Sequence, residues 1–469
     1  MDFHKIDTAE DINKIKPYLD LFDKDFSDLT QPNFYMWRDI YPRYFYIFDD
    51  TLIIKEASAT DENDFRFYMP VGKNPSKALK LMEQYCLERH LPLIVSNLTL
   101  EEAGALSSRY HNTEIHFNRC WSDYIYSAES MRTFKGKKFA GQRNHINKFI
   151  SLYGNYQYHQ IHRENISAAR NFLIDLRDQN QFQSEAALDE LNLNIAFLDV
   201  FFEFDSVVGG FITCGEKVIS VAIGEKRDTT LYVCIEKANR EYIGAYQVMV
   251  KEFALHNTGS EVCFINREED MGNEGLRTSK LQYHPIEIKN KYWVEVNTLF
   301  DDIEAPVKIY SEEKVNIFLD EITSADSEAF MKLYTNDDNN KYWGYNYKED
   351  APINVSAQYF IDFVEMMKKK KEEYSLAVRV NGVFAGEGVF HNFDIFGNIE
   401  LGIRLLPEFQ GKGIGSYAVV AMKNYAKNTL KAKSVKMKCF LKNTASERMI
   451  KKAGFAEVSR SNDFIFFEA

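Results

Sequence analysis

The last third of the chain alternates short strand-like runs with helical stretches. "VNIFLDEI" (315–322) reads as a strand. "SADSEAFMKLYTN" (324–336) predicts a short helix capped by Ser324 or Asp326. "SAQYFIDFVEMMKKKK" (356–371) predicts a second helix, whose lysines suit its negative C-terminal end. "YSLAVRV" and "VFAGEGVFHN" flank Asn381-Gly382, the dipeptide of a tight hairpin turn. Then follow the strand "NIELGIRLL" (398–406), the amphipathic helix "IGSYAVVAMKNYAKNT" (414–429) and the strand "SVKMKCFL" (434–441). A helix "TASERMIKKAG" ends at Gly454, and "DFIFFE" closes the sheet.

Part of this order recurs upstream. "VVGGFITCGEKVISVAIGEKRDTTLYVCIEKA" (207–238) reads as hairpin strands leading into "IGAYQVMVKEFA" (243–254), and "EVCFIN" and "EGLRTSKLQY" follow as strand and helix. Aligning Gly244 with Gly415 places Tyr246 on Tyr417 and suggests an internal duplication. Residues before 150 are also mixed α/β but do not align. The seam "VNTLFDDIEAPVKIYSEEKV" (296–315) carries turn-prone acids and Pro306, so a boundary is expected near 305. The expected division is 1–150, 151–305 and 306–469. The fold class is α/β of the α+β type, each unit a mixed, mostly antiparallel twisted sheet flanked by helices.

Composition adds limits. With 469 residues, more than one core is expected. The formal net charge is −12, yet the residues after 305 carry about +1, so the acidity lies in the first two thirds. Such a chain is a poor general nucleic-acid binder. The six cysteines have no CxxC spacing and mostly lie in strand-like runs, as buried thiols of a reducing compartment do. The N-terminus "MDFHKIDTAEDINKI" is polar and unlike a signal peptide, and no apolar run reaches ~18 residues. A cytoplasmic protein is expected, with no metal site: Glu268, Glu269, Asp270 and Glu274 lack metal-loop spacing.

The candidate chemistry centres on "PEFQGKGIGSYA" (407–418). No Lys-Ser or Lys-Thr follows the glycines, which excludes a P-loop. Ser416 occupies the last glycine position of a dinucleotide fingerprint, and the βαβ context is missing. Gln410, Gly413 and Gly415 do match Q/R-x-x-G-x-G/A between a strand and a helix. The free N–H groups of a helix start form an anion site, and glycine removes the Cβ atoms that would hold a phosphate away. The loop Gln410, Gly411, Lys412, Gly413, Ile414, Gly415 and Ser416 is therefore expected to hold a pyrophosphate, with Gln410 and Lys412 adding polarity and charge.

"QGKGIG", "ELGIRLLPEFQ" before it and "NTASERMIKKAGF" (443–455) after it resemble the GNAT superfamily of acetyltransferases, in particular its branch of ribosomal-protein N-terminal acetyltransferases. The resemblance covers the whole last domain. It implies that the pyrophosphate belongs to acetyl-CoA, that the strand bearing Ile403 and Leu405 holds the pantetheine arm by main-chain bonds, and that an amine is the acceptor. Amine transfer needs a base, because free amines are mostly charged at pH 7. Glu400 can take that proton through water or pair across the sheet, and Glu387 is an alternative. Many relatives carry a tyrosine acid where this chain has Ile450; Ser446 follows the branch with serine there, and contacts the thiolate or caps the helix. Asn443 bonds the pantetheine or fixes the strand end. In "NNKYWGYNY" (339–347), Tyr342 and Trp343 frame the acceptor or pack in the core, and His391 reads as a surface histidine.

"FKGKKFAGQRNHINKF" (134–149), "CIEKAN" (234–239) and "NREEDMGNEGLRTSKLQYHP" (266–285) are similar to an uncharacterised bacterial family related to the C-terminal domain of phosphatidylglycerol lysyltransferase. That resemblance spans roughly 20–300. It implies two GNAT-like units in tandem, 1–150 and 151–305, and kinship with aminoacyl-tRNA-dependent transferases. The second unit's loop "NREYIGA" places Tyr242 at Gly413 and Asn239 at Gln410, so its cradle reads as degenerate. Lys135, Lys137, Lys138, Arg143 and Lys148 form a basic surface helix or receive a phosphate-rich ligand, a tRNA end or a lipid head group. His145 reads as structural. Three functions stay open: acetyl transfer from acetyl-CoA to an amine-bearing small molecule or protein N-terminus; aminoacyl transfer in the front part; and non-catalytic acyl-CoA binding or regulation.

Overall fold

The computed structural model describes residues 1–61, 63–89, 91–179, 185–343 and 355–469. They form two compact units, one of residues 1–82, 94–105 and 115–294, the other of residues 83–93, 106–114 and 295–469. The architecture is mixed α/β, with sheets flanked by helices.

One pairing order occurs three times. The strands Ile317–Glu321, Glu373–Val380, Val383–His391 and Asn398–Leu405 pair antiparallel in succession, and Ser434–Phe440 then joins in parallel. The strands Tyr156–Gln160, Val207–Cys214, Lys217–Arg227 and Thr230–Ala238 repeat this, with Phe264–Asn266 as the parallel partner. So do His4–Lys5, Arg43–Phe48, Thr51–Ala57 and Phe65–Tyr68, with Leu93–Leu98 in parallel. This third copy, which the sequence does not align, shares the topology without sharing a pattern of residues.

The chain does not divide where position 150 places the cut. Asp123–Ser127 is antiparallel to Phe264–Asn266 in the second sheet, and Ile146 and Phe149 of the helix Ala140–Tyr153 share a core with Val248 and Phe253. Tyr292–Asn297, which follows the second sheet in sequence, lies in the first.

In the C-terminal unit the elements follow the sequence pattern closely. The helix Ile414–Asn428 buries Ala418, Val419 and Met422 against Leu319, Leu376 and Leu401 on one face of the sheet. The helices Ser327–Thr335 and Ala357–Lys369 cover the other face, where Phe330 and Phe360 meet Ala377 and Phe384. Asn381 and Gly382 both take positive φ, 52° and 82°, as the hairpin turn needs. Asp326, one of the two expected caps, holds the N-cap position of the helix Ser327–Thr335 but makes no cap bond with its side chain: its carboxylate returns to the N–H of Thr323, 2.9 Å away, and Thr323 opens the preceding turn.

Candidate active site

Past Glu400 the strand Asn398–Leu405 is paired along one edge only. Toward Val383–His391 its register runs unbroken from Glu400 to Leu405. Toward Ser434–Phe440 it is recorded only over Asn398–Glu400, opposite Ser434–Lys436. Beyond Glu400 the two parallel strands part. The N–H of Leu406 bonds the carbonyl of Ala385, which fixes the phase of the antiparallel ladder. By alternation, Arg404 and Gly402 then turn their main-chain groups to the paired edge, and Ile403 and Leu405 turn theirs into the gap. Gap and phase together leave main-chain donors and acceptors along a slot.

The glycine loop closes one end of this slot. Gly411 and Gly413 have φ of 68° and 80°, a left-handed backbone that glycine adopts without strain. Nothing lies within 4 Å of a Cβ built at Gly411, and one at Gly413 meets only the ring edge of Tyr417, at 3.5 Å. The first intrahelical bond runs from the N–H of Tyr417 to the carbonyl of Gly413. The N–H groups of Ile414, Gly415 and Ser416 therefore have no partner within the helix. Lys412 is exposed beside them, whereas Ile414 and Ser416 are buried.

Two loop residues also make contacts within the protein. A Cβ at Gly415 would lie 2.8 Å from Sδ of Met449, so this glycine lets the helix Thr444–Lys452 approach. The amide of Gln410 donates to the carbonyl of Leu405 at 2.8 Å and to Asn339 at 2.7 Å, tying loop to strand. Asn443 caps the helix Thr444–Lys452, its Oδ1 accepting from the N–H of Ser446 at 3.1 Å. Ser446 therefore does not cap that helix. Ile450, in the tyrosine slot, is fully buried in the core.

A charged row crosses the sheet where the strands part. Registers place Glu373 opposite His391, His391 opposite Glu400, and Glu400 opposite Lys436. Nε2 of His391 lies 4.0 Å from Glu400, which also accepts from Asn392 at 2.9 Å and pairs with Lys438 at 3.3 Å. Burial lowers the pKa of His391 against the pull of Glu400. Burial, then the charges of Glu387 and Glu372, push Glu373 up to about 7. His391 is half-buried rather than fully exposed. Strand alternation carries the clue, since it puts His391 on the face of Glu387 and opposite to Phe390.

Deeper on the same face, Arg404 and Glu387 form a buried ion pair at 2.8 Å. Arg404 also donates to Asn340 at 2.7 Å and stacks on Tyr334 and Trp343. Trp343 covers Gly402, where a Cβ would lie 3.1 Å from the indole and 3.7 Å from Nε2 of His391. Tyr342 packs on Phe440 of the strand across the slot. Residues 344–347 of the aromatic stretch lie outside the described residues.

The second sheet carries a related loop with a different outcome. The helix Ala245–Asn257 begins after Gly244, whose φ is 96°. Gly244 therefore corresponds to Gly413 and not to Gly415, and the buried Met249, Val250 and Phe253 then coincide with Ala418, Val419 and Met422. The expected match of Tyr242 with Gly413 and Asn239 with Gln410 is corrected: Tyr242 falls at Gly411, Glu241 at Gln410 and Tyr246 at Gly415. The sequence alignment missed this because the loop is two residues shorter. Here the cradle is filled. A Cβ at Gly244 would lie 2.5 Å from the carbonyl of His145, and the hydroxyl of Tyr153 accepts from the N–H of Ile243 at 3.3 Å.

The same N-terminal unit holds a cavity of about 780 Å³, walled in part by Trp37, Trp121, Trp293 and Tyr246. Glu268, Glu269 and Lys291 reach it. Lys291 is bound to Asp28 and lies 2.8 Å from Asp123. Burial opposes its charge, but Asp123, Asp28 and Glu269 hold the ammonium well above its usual range. Burial, then Glu269, push Glu268 up among carboxylates. Glu268 also adopts a φ of 55°, uncommon outside glycine. Among the described residues no group of three or more His, Cys, Asp or Glu side chains is placed to hold a metal ion. Of the basic stretch, Lys135, Lys137 and Lys138 are exposed, while Arg143 donates to the carbonyls of Phe134 and Gly136. No described helix is long and apolar enough to cross a membrane.

Residues 20–295 match the family described as phosphatidylglycerol lysyltransferase, C-terminal, and residues 316–456 match the acetyltransferase (GNAT) domain. An uncharacterised protein of Mycoplasmoides gallisepticum, MYCGA3080, is 25% identical over 209 residues, 44% of this chain and 65% of that protein. The chain thus spans less than two thirds of that relative. A solved structure of a conserved protein of unknown function from Bacteroides thetaiotaomicron VPI-5482 is 28% identical and covers 63% of this chain and 100% of its own, with a TM-score of 0.57. Mycobacterium smegmatis RimJ in complex with CoA-disulfide is 13% identical over 35% of this chain and 88% of that one, with a TM-score of 0.30.

Proposed function

Since the chain belongs to the phosphatidylglycerol lysyltransferase C-terminal family and ends in a GNAT acyltransferase domain, we propose that this last domain moves an acetyl group from acetyl-CoA to an amine. The observation that carries the reading is the slot beyond Glu400, closed by the open cradle of Gly411 and Gly413. The N–H groups of Ile414, Gly415 and Ser416 and the charge of Lys412 suit a pyrophosphate. The gap-facing main chain of Ile403 and the N–H of Leu405, whose carbonyl is held by Gln410, suit the amides of a pantetheine arm. Gln410 and Gly415 support this cradle from behind. The acceptor, an amine-bearing small molecule or a protein N-terminus, enters beside Trp343 and the row of Glu373, His391 and Glu400. Ser446, whose hydroxyl is free of the cap, stands at the helix start and is assigned to the departing thiolate. A cytoplasmic setting, where acetyl-CoA is made, fits this reading.

Calorimetry of the full chain with coenzyme A and with acetyl-CoA tests it. Saturable heat at one site is expected. Absence of heat with both overturns the reading.

The cavity of the N-terminal unit favours a second reading, in which that unit transfers an acyl or aminoacyl group of its own. Its half-buried carboxylates, the buried Lys291 and its aromatic walls make a built site. A tRNA end or a lipid head group would meet the exposed Lys137 and Lys138. Loss of tRNA or anionic-vesicle binding in a Lys137→Gln, Lys138→Gln variant supports this reading; unchanged weak binding refutes it. Binding of acyl-CoA without turnover of any amine would leave the third reading, a regulatory domain.

A further inference from the structure

We propose that His391 is the proton-accepting residue of the acetyl-transfer site, with Glu400 as the residue that positions it and balances its charge. This rests on the acetyl-transfer reading above.

The geometry separates the two side chains. Glu400 already accepts from Asn392 and pairs with Lys438, so its oxygens are engaged at the rim. Nε2 of His391 lies 3.7 Å from a Cβ built at Gly402, beside the indole of Trp343 at 3.1 Å, and so borders the space above that glycine. That space opens where Asn398–Leu405 leaves Ser434–Phe440, so a thioester lying in the slot brings its carbonyl carbon near it. The glycine matters here, since any side chain at 402 presses on both the indole and the imidazole.

The charges around His391 suit the role. Glu373 flanks it on one neighbouring strand and Glu400 on the other, with Lys438 beyond Glu400 and the Glu387–Arg404 pair deeper on the same face. Burial keeps the imidazole neutral in the resting protein. Once it takes a proton, Glu400 at 4.0 Å and Glu373 face a cation. This is the logic by which a carboxylate behind a histidine stabilises the imidazolium.

The step balances. An N–H bond of the acceptor ammonium breaks and its proton moves to Nε2. The freed lone pair attacks the thioester carbonyl carbon, the C–N bond forms and the C–S bond breaks. Sulfur leaves with the bonding pair and takes the remaining surplus N–H proton, and Nε2 returns its proton to water.

Two measurements on the full chain decide the matter. The first is NMR of ring-labelled histidine, with the His391 signal assigned by its loss in His391→Gln. The expected imidazole titrates below the ordinary value of about 6.5, and lower still in Glu400→Gln. An imidazole charged at pH 7, or one indifferent to Glu400→Gln, overturns the proposal whatever the turnover. The second is thiol release from acetyl-CoA with spermidine, glycinamide and lysine methyl ester as probe amines. His391→Gln is expected to slow it by about 10²-fold and to erase the acidic limb of the pH profile, with coenzyme A affinity within about twofold of the parent. A variant that keeps that limb refutes the role of His391 but leaves acetyl transfer standing. Failure to bind coenzyme A refutes acetyl transfer itself, and with it the proposal.

Discussion

Alanine at Gly413 separates the two kinds of glycine in the loop. At φ 80° a Cβ costs about 1–2 kcal/mol against glycine. Little else opposes it, because the nearest atom outside the turn is 3.5 Å away. For a unit of this size each kcal/mol lowers Tm by about 2–4 °C, so Gly413→Ala is expected to melt roughly 2–8 °C lower. Relief of that strain also shifts the turn, so the N–H groups of Ile414–Ser416 are re-aimed. Losing one charge-assisted hydrogen bond to a phosphate costs about 1.5–3 kcal/mol, which weakens Kd for coenzyme A by roughly 10- to 100-fold. Gly415→Ala is the contrast. Its backbone is ordinary, and its Cβ meets the flexible end of Met449 at 2.8 Å. It is expected to lose stability to overpacking, about 1–3 kcal/mol, while coenzyme A affinity stays near that of the parent. Calorimetry and thermal melts of the full-length variants measure both. Gly413→Ala binding coenzyme A as tightly as the parent, or Gly415→Ala losing binding without losing stability, would refute the division of roles.

Burial pushes Glu225 up to about 7, against the N–H of Gln31 that it accepts at 2.6 Å. A folded pKa above the unfolded value near 4.5 means that its stabilisation is full below pH 4.5 and lost as pH rises through 7. Glu225→Gln is expected to match the parent at pH 5 and exceed it by about 3 kcal/mol at pH 8; equal urea midpoints at both pH values refute this. Asn443→Ala removes a cap and is expected to cost about 1 kcal/mol, whereas Ser446→Ala stays within about 0.5 kcal/mol, so a slower thiol release in the latter reports on chemistry. Arg404→Met strands Glu387 in the core and is expected to cost about 3–5 kcal/mol, part of which returns in the double variant with Glu387→Gln; an additive double variant argues against the pair.

What the sequence made legible follows a physical divide. Elements of the C-terminal unit were readable because each local preference agrees with the fold: Asn381-Gly382 at a positive-φ turn, Lys368 and Lys369 in the last turn of the helix Ala357–Lys369, Ala418, Val419 and Met422 on one stripe. The loop was readable because left-handed φ leaves a glycine in the sequence. The charged row was not, because Glu373, His391 and Glu400 lie on three strands and only register brings them together. The exchange of Asp123–Ser127 into the second sheet was equally hidden, since it leaves no local mark.

The two glycine loops show how one topology supports different sites. Both helices start from a glycine in the same left-handed conformation, and in both the first N–H groups need partners from outside the helix. In the N-terminal unit the protein fills the space instead: the carbonyl of His145 would lie 2.5 Å from a Cβ at Gly244, the N–H of Ala245 bonds the carbonyl of Tyr242, and Tyr153 accepts from the N–H of Ile243 just before the helix. A phosphate has no room there, and the position of Gln410 is taken by Glu241, whose charge would repel it. That unit's ionisable groups are gathered instead in the cavity of Glu268, Glu269 and Lys291. At Gly411 and Gly413 the space is open, and Lys412 lies exposed beside it. If the filled cradle is what excludes coenzyme A, trimming Tyr153 to Ala frees the N–H of Ile243 but leaves the carbonyl of His145 in place. Coenzyme A stoichiometry should therefore stay at one per chain in that variant. A second equivalent would mean that the tyrosine alone closes the site and that helix packing against Gly244 does not.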